Sequence, residues 1–172
     1  MSFGLLILRL AVGLTLAAHG SQKLFGWFGG GGIGGTAPFL EQIGFRPGRL
    51  HAFLAGLGEV VGGLFLALGL LTPLASAAVV AVMFTAGVSA HLRSGFFVQK
   101  GGYEYAFILA VSALAVAFTG PGEFSVDRAI GISWYGPFWG LAALLVGLAV
   151  GGVSLLNRRF EPQAASVPAA RS

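Results

Sequence analysis

The chain has 172 residues, of which 56% are hydrophobic and 9% charged, with a formal net charge of +4 and no cysteine. Soluble domains carry about 25% charged residues, so a mean hydropathy of +0.86 places this chain among integral membrane proteins. The missing thiols exclude disulfide relays, c-type haem attachment and cysteine-ligated zinc or iron–sulfur centres, and a pI near 10.1 that reflects few acids more than many bases gives no reason to invoke nucleic acid.

A membrane-spanning helix needs about 20 mostly apolar residues. In chain order the candidates are residues 3–24, 50–71, 73–91, 103–119 and 137–156. The first resembles a secretory leader in length, but leaders carry their positive charge before the apolar core. Here Arg9 interrupts the core and nothing basic precedes it, so a retained span is expected. The glycine-rich stretch 29–35 is expected to be irregular. Its formal match to G-x-G-x-x-G follows no strand and opens no βαβ unit, so it reads as a linker. Residues 36–44 then form a short helix, capped by Thr36, entered through Pro38 and ended by Gly44. With Phe25, Trp27, Phe28 and Phe45 nearby, it has the composition of an interfacial element. Leu71-Thr72-Pro73 is a tight turn with Pro73 in the first turn of the next helix. Residues 120–128 read as a turn and a short structured loop. Gly147 and Gly151 make a small-xxx-small step in the last span, suited to packing within the chain or against another subunit.

The expected fold is therefore an all-α membrane protein. A four-helix transmembrane bundle occupies residues 1–131, a fifth C-terminal transmembrane helix residues 132–157, and a disordered tail residues 158–172. Five spans put the termini on opposite sides. Lys23, Arg46, Arg49, Arg93, Lys100, Arg158, Arg159 and Arg171 then share one side, which the positive-inside rule makes cytoplasmic, with the N-terminus out and the C-terminus in.

Ionisable residues within or at the ends of spans are costly, and they default to a functional reading. These are Arg9, His19, Lys23, Glu59, His91 and Glu104. Parity gathers His19, Lys23, His51, His91 and Glu104 at the basic end of the bundle, the one expected to be cytoplasmic, where a ligand can be met. Arg9, Gly13, Leu16, Gly20 and Lys23 fall on one helical stripe at 100° per residue. Counting at 1.5 Å per residue from His19 and His51 brings Arg9 and Glu59 to similar depth. An Arg9–Glu59 ion pair is expected, with Gly58 and Gly62 admitting a close helix beside it. Such a pair serves architecture as readily as chemistry. Two histidines on separate spans are the minimum for a b-type haem, and His19, His91 and Glu104 for a metal. All three lie near span ends, so neither group is the favoured reading.

Several segments together resemble the DoxX family. They are Arg9-Leu10-Ala11-Val12-Gly13 with His19-Gly20-Ser21-Gln22-Lys23-Leu24, Gly58-Glu59-Val60-Val61-Gly62-Gly63 leading to Gly69-Leu70-Leu71-Thr72-Pro73, Gly101-Gly102-Tyr103-Glu104-Tyr105, and Gly120-Pro121-Gly122 with Ser125-Val126-Asp127. The resemblance runs from about residue 3 to 131 and implies a four-helix core in the bacterial inner membrane. Some relatives are subunits of a thiosulfate:quinone oxidoreductase, and others are linked to membrane redox complexes or oxidative-stress defence. Arg9, Lys23, Glu59 and Glu104 match the family pattern.

The leading functional expectation is an inner-membrane subunit of, or accessory to, an oxidoreductase system, binding quinone in a polar pocket at one membrane face. Glu59, Glu104 and His91 are the candidate catalytic groups, and Arg9, His19, Lys23, Glu59, His91 and Glu104 the candidate ligand-binding set. The alternatives are a small proton-coupled transporter and a non-catalytic scaffold recruiting soluble redox enzymes through its basic loops and the glycine face of the fifth span. Expected partners are the lipid bilayer, redox-enzyme subunits and a second copy of the chain.

Overall fold

The structure, a computed structural model, describes residues 2–160. Its helices are α1 (Ser2–Phe25), α2 (Gly32–Gln42), α3 (Gly48–Leu68), α4 (Thr72–Ala86), α5 (Glu104–Thr119), α6 (Val126–Ala129) and α7 (Pro137–Leu156). No strand occurs among the described residues. Four stretches are long and apolar enough to cross a membrane: α1, α3, α4 with its continuation to Ser94, and α7. At 16 residues α5 is shorter, about 24 Å at 1.5 Å per residue. The chain is a multi-pass, all-α membrane protein, as its apolar runs predicted.

Glycine sets the closest helix contact. A Cβ on Gly13 would overlap the Gly63 carbonyl oxygen and Ala67, and one on Gly20 would overlap the Gly56 carbonyl oxygen and Val60. Backbone therefore meets backbone along the whole α1–α3 seam, the arrangement small residues permit in lipid. Gly58 and Gly62 face the other way, toward Val82 and toward Ala78 and Val79 of α4. The two glycine pairs are two residues out of phase, about 200° around the helix, so α3 is gripped from opposite sides.

The interior between these helices is apolar. Val12, Leu16, Leu66, Val79, Met83, Leu109 and Ala113 form one buried cluster, and Ser76 crosses from α4 to α5 with a hydroxyl donating to the Ala113 carbonyl at 2.8 Å. The fifth long helix, α7, lies on α4. A Cβ on Gly147 would press on Val80 and Ala77, and one on Gly151 on Phe84 and Ala81. The small-xxx-small step of the last span is thus used inside the molecule, against α4.

Two local expectations need correction. Helix α2 starts at Gly32, inside the stretch expected to be irregular. The reason is tertiary: a Cβ on Gly30 would overlap the Gln22 backbone, so the glycines let the chain fold tightly back along the end of α1. The start of the expected tail is also held. Arg158 Nε donates to the Ile43 carbonyl at 2.9 Å, and the Arg159 amide to the Gly44 carbonyl at 2.7 Å. The Arg158 guanidinium lies 4.9 Å from the Phe160 ring centre. Residues 161–172 of that tail lie outside the described residues.

Overpacking a tight contact costs about 1–3 kcal/mol, whereas removing an unneeded helical glycine gains about 0.5–1 kcal/mol. Gly13→Leu should therefore lower the thermal unfolding midpoint in detergent. Gly152→Ala, where a Cβ meets nothing within 4 Å, should leave it unchanged or raise it. Equal midpoints for the two variants would contradict the close α1–α3 approach.

Candidate functional site

The membrane charges separate into two clusters at opposite ends of the bundle. At the N-terminal end of α1, Arg9 is completely buried, at 0% exposure. Its Nη2 donates to the Phe124 carbonyl at 2.5 Å, and Gly69 is pressed so closely on Nη1 that no side chain would fit there. Gly69 ends α3 in the left-handed conformation with φ 62°, a second reason for glycine at this position. Asp127, 1% exposed, acts electrostatically on Arg9. Its carboxylate accepts from the Leu71 amide at 2.7 Å and from the Thr72 amide and hydroxyl at 2.9 and 2.6 Å. Asp127 is therefore the N-terminal cap of α4, supplied from 55 residues away. Its own amide returns a bond to the Gly69 carbonyl at 2.9 Å. Ser125 caps the short helix that carries it, accepting from the Arg128 amide at 3.2 Å.

At the other end, Glu59 is 4% exposed and Lys23 is 29% exposed. Lys23 Nζ donates to Glu59 Oε2 at 2.5 Å in an ion pair between α1 and α3. His19 interacts electrostatically with Glu59, and its Nε2 lies 3.1 Å from the Tyr105 hydroxyl. Tyr105 is an exposed side chain on α5. Three helices, α1, α3 and α5, thus bring one acid, one base, an imidazole and a phenol together. The acid is buried and the others reach the surface.

The expected Arg9–Glu59 pair does not form, because the two helices are offset along their axes. Gly20 meets Gly56 and Val60, while Gly13 meets Gly63 and Ala67. The level of Glu59 on α1 is thus near Gly20, not near Arg9. Helix α3 begins below the end of α1, since Gly48 packs on Ala37 and Glu41 of α2 and Leu24 reaches only Gly56. Matching His51 to His19 misplaced the helices by about two turns, about 11 Å. The helical stripe itself is correct: Arg9, Gly13, Leu16 and Gly20 are all buried.

His91 and Glu104 stand apart from the Lys23–Glu59 group. Helix α4 widens into a π-turn over Gly87–His91, which shifts the helical phase beyond it. His91 Nδ1 then lies 2.8 Å from the Gly101 carbonyl. Glu104 Oε2 accepts from the Val98 amide at 2.9 Å. Both side chains lock the loop between α4 and α5. His51 stacks near Phe45, ring centres 5.3 Å apart. No group of three or more His, Cys, Asp or Glu side chains among the described residues is placed to hold a metal ion. Tyr105 and Asp127 stand in the family-like segments of the sequence but not among its candidate site residues. Asp127 carried a signal, being the sole aspartate of a strongly apolar chain.

A family model described as DoxX matches residues 4–92. That match covers more than half of the chain, which therefore belongs to the DoxX family. No curated protein and no solved structure matches it.

Replacing an N-cap side chain by alanine costs about 0.5–2 kcal/mol, and stranding a buried charge about 3–5 kcal/mol. Asp127→Ala should do both and lower the unfolding midpoint well below that of Glu123→Ala, whose carboxylate meets only the Ser2 hydroxyl at 3.0 Å. Matching midpoints would refute the capping role.

Proposed function

We propose that this DoxX-family protein is a membrane subunit of, or accessory to, an oxidoreductase system, and that it receives a quinone head at the Lys23–Glu59–His19–Tyr105 cluster. The observation that carries this reading is a buried carboxylate, ion-paired to a lysine, beside an imidazole and a phenol that reach the lipid-facing surface. A quinone is an apolar body with two carbonyl acceptors. His19 Nε2 and Tyr105 Oη are hydrogen-bonded to each other, and with Nε2–H donating to Tyr105 the phenol O–H is the donor a carbonyl can meet from the bilayer side. Glu59 and Lys23 behind them form a hydrogen-bonded acid–base pair suited to exchanging protons with the head. Electrons would come from a partner enzyme. His91 and Glu104, held by loop backbone, have no part in this reading, and Arg9 belongs to the opposite end.

The same reading places the protein in the bacterial inner membrane with its basic end cytoplasmic. Lys23, Arg46, Arg49, Arg93, Lys100, Arg158 and Arg159 all lie toward that end, which also suits docking of a soluble redox partner. No observation favours the transporter. The cluster at each end is closed off from the other by the packed apolar layer of Val12, Leu16, Leu66 and Leu109.

The test is quinone binding by the full chain in lipid nanodiscs, measured with short-tail quinone analogues. Tyr105→Phe removes one exposed hydroxyl without disturbing the ion pair, and Glu59→Gln removes the charge. Each should weaken binding at least about tenfold, or about 1.4 kcal/mol, while Arg128→Gln leaves it unchanged. Absence of binding by the native chain, or equal affinities throughout, refutes the proposal.

A further inference from the structure

The loop between α4 and α5 has a surface unlike that of a water-exposed connection. Every residue from Leu92 to Gly101 is exposed. Among them Leu92, Phe97 and Val98 are each half or more exposed, and Phe96 is 39% exposed. The polar side chains of this stretch are Arg93, Ser94, Gln99 and Lys100, with no acid among them. Glu104, the acid that follows, is occupied by the Val98 amide.

The loop backbone is also unusually self-contained. The Gly95 amide donates to the Leu92 carbonyl, Lys100 and Gly102 to Phe97, Gly101 to Val98, Tyr103 to Gly95 and Glu104 to Phe96. A Cβ on Gly102 would overlap the carbonyl oxygens of Gly95 and Phe96, so the two arms of the loop touch. Irregular backbone survives near hydrocarbon only when its polar groups are met internally.

Span length supplies the third argument. At 16 residues, α5 is about 24 Å long against a hydrocarbon core of about 30 Å. A short span draws its flanking residues into the boundary between acyl chains and headgroups.

We propose that residues 92–103 form a bilayer anchor that seats on anionic phospholipid headgroups. Leu92, Phe97 and Val98 enter the acyl boundary, and Arg93 and Lys100 meet the lipid phosphates. The occupant follows from charge and depth together: an apolar tip flanked by two cations, at the end of a span too short to lift it clear of the membrane. This inference is independent of what binds at Glu59.

The native chain lacks cysteine, so single-cysteine variants need no altered background. Phe97→Cys and Leu145→Cys are spin-labelled in nanodiscs of phosphatidylcholine with phosphatidylglycerol. Accessibility to oxygen and to a water-soluble nickel chelate gives the depth of each. The label at position 97 should be shielded from the chelate and sit shallower than the hydrocarbon reference at 145. Native mass spectrometry then reads phosphatidylglycerol retained by the unlabelled chain. The preference for that lipid should fall about fivefold for each of Arg93→Gln and Lys100→Gln. A chelate-accessible label at position 97, or a lipid preference unchanged in both Arg93→Gln and Lys100→Gln, would overturn the anchor. So would a label shielded only after a soluble protein is added, which would assign the loop to a protein partner.

Discussion

The close approach of α1 to α3 decides where every charge in the membrane ends up. Gly13 and Gly20 on one helix and Gly56 and Gly63 on the other remove the side chains that would hold the backbones apart. Once that seam is set, helix offset is no longer free. Lys23 is carried to Glu59, Arg9 is carried to the turn after α3, and the core between them is left to Val12, Leu16 and Leu66. Dispersion and backbone proximity, rather than ion pairing, choose the register. The ion pair is its consequence.

That register gives the two ends different characters. The bonds at the Arg9 end are architectural, although Nε and Nη1 of Arg9 are buried without a hydrogen-bond partner. Asp127 closes the start of α4, its amide ties back to Gly69, and Arg9 holds the Phe124 carbonyl. The segment after α5 is thereby stitched to the α3–α4 turn, which is otherwise only a few residues long. The Glu59 end is built differently. Its hydrogen bonds run between side chains on separate helices, and three of the four groups reach the surface. Such an arrangement gains little as a fold determinant beside the glycine seam. It has the donor and acceptor chemistry that a polar-headed, lipid-soluble ligand needs.

Much of this was legible in the chain. Apolar runs gave all five long helices to within a few residues, because a bilayer demands length and composition that little else does. Helical phase gave the buried stripe of α1. Phase reports which face of a helix is buried but not how far it slides along its neighbour, and that is why Arg9 was matched with Glu59. Helix α3 offered two glycine pairs on opposite faces, and nothing local distinguishes the pair that meets α1 from the pair that meets α4. The cap on Thr72 was invisible for a related reason: its donor chain lies in a loop more than fifty residues on. Span parity put His91 at the same end as Lys23 and Glu59, but parity gives the membrane side and not the lateral position, and its ring is held by the Gly101 carbonyl instead.

The α1–α3 register decides which base holds Glu59. The chain contains only two lysines, Lys23 and Lys100, so Lys100→Arg leaves one lysine to label. Solid-state NMR on this variant in lipid, with lysine 15Nζ and glutamate 13Cδ labels, measures the dipolar coupling between ammonium and carboxylate directly. The structure predicts strong coupling that disappears in Glu59→Gln. Absence of that coupling, with arginine-labelled protein instead coupling Arg9 to Glu59, would contradict the register and everything built on it.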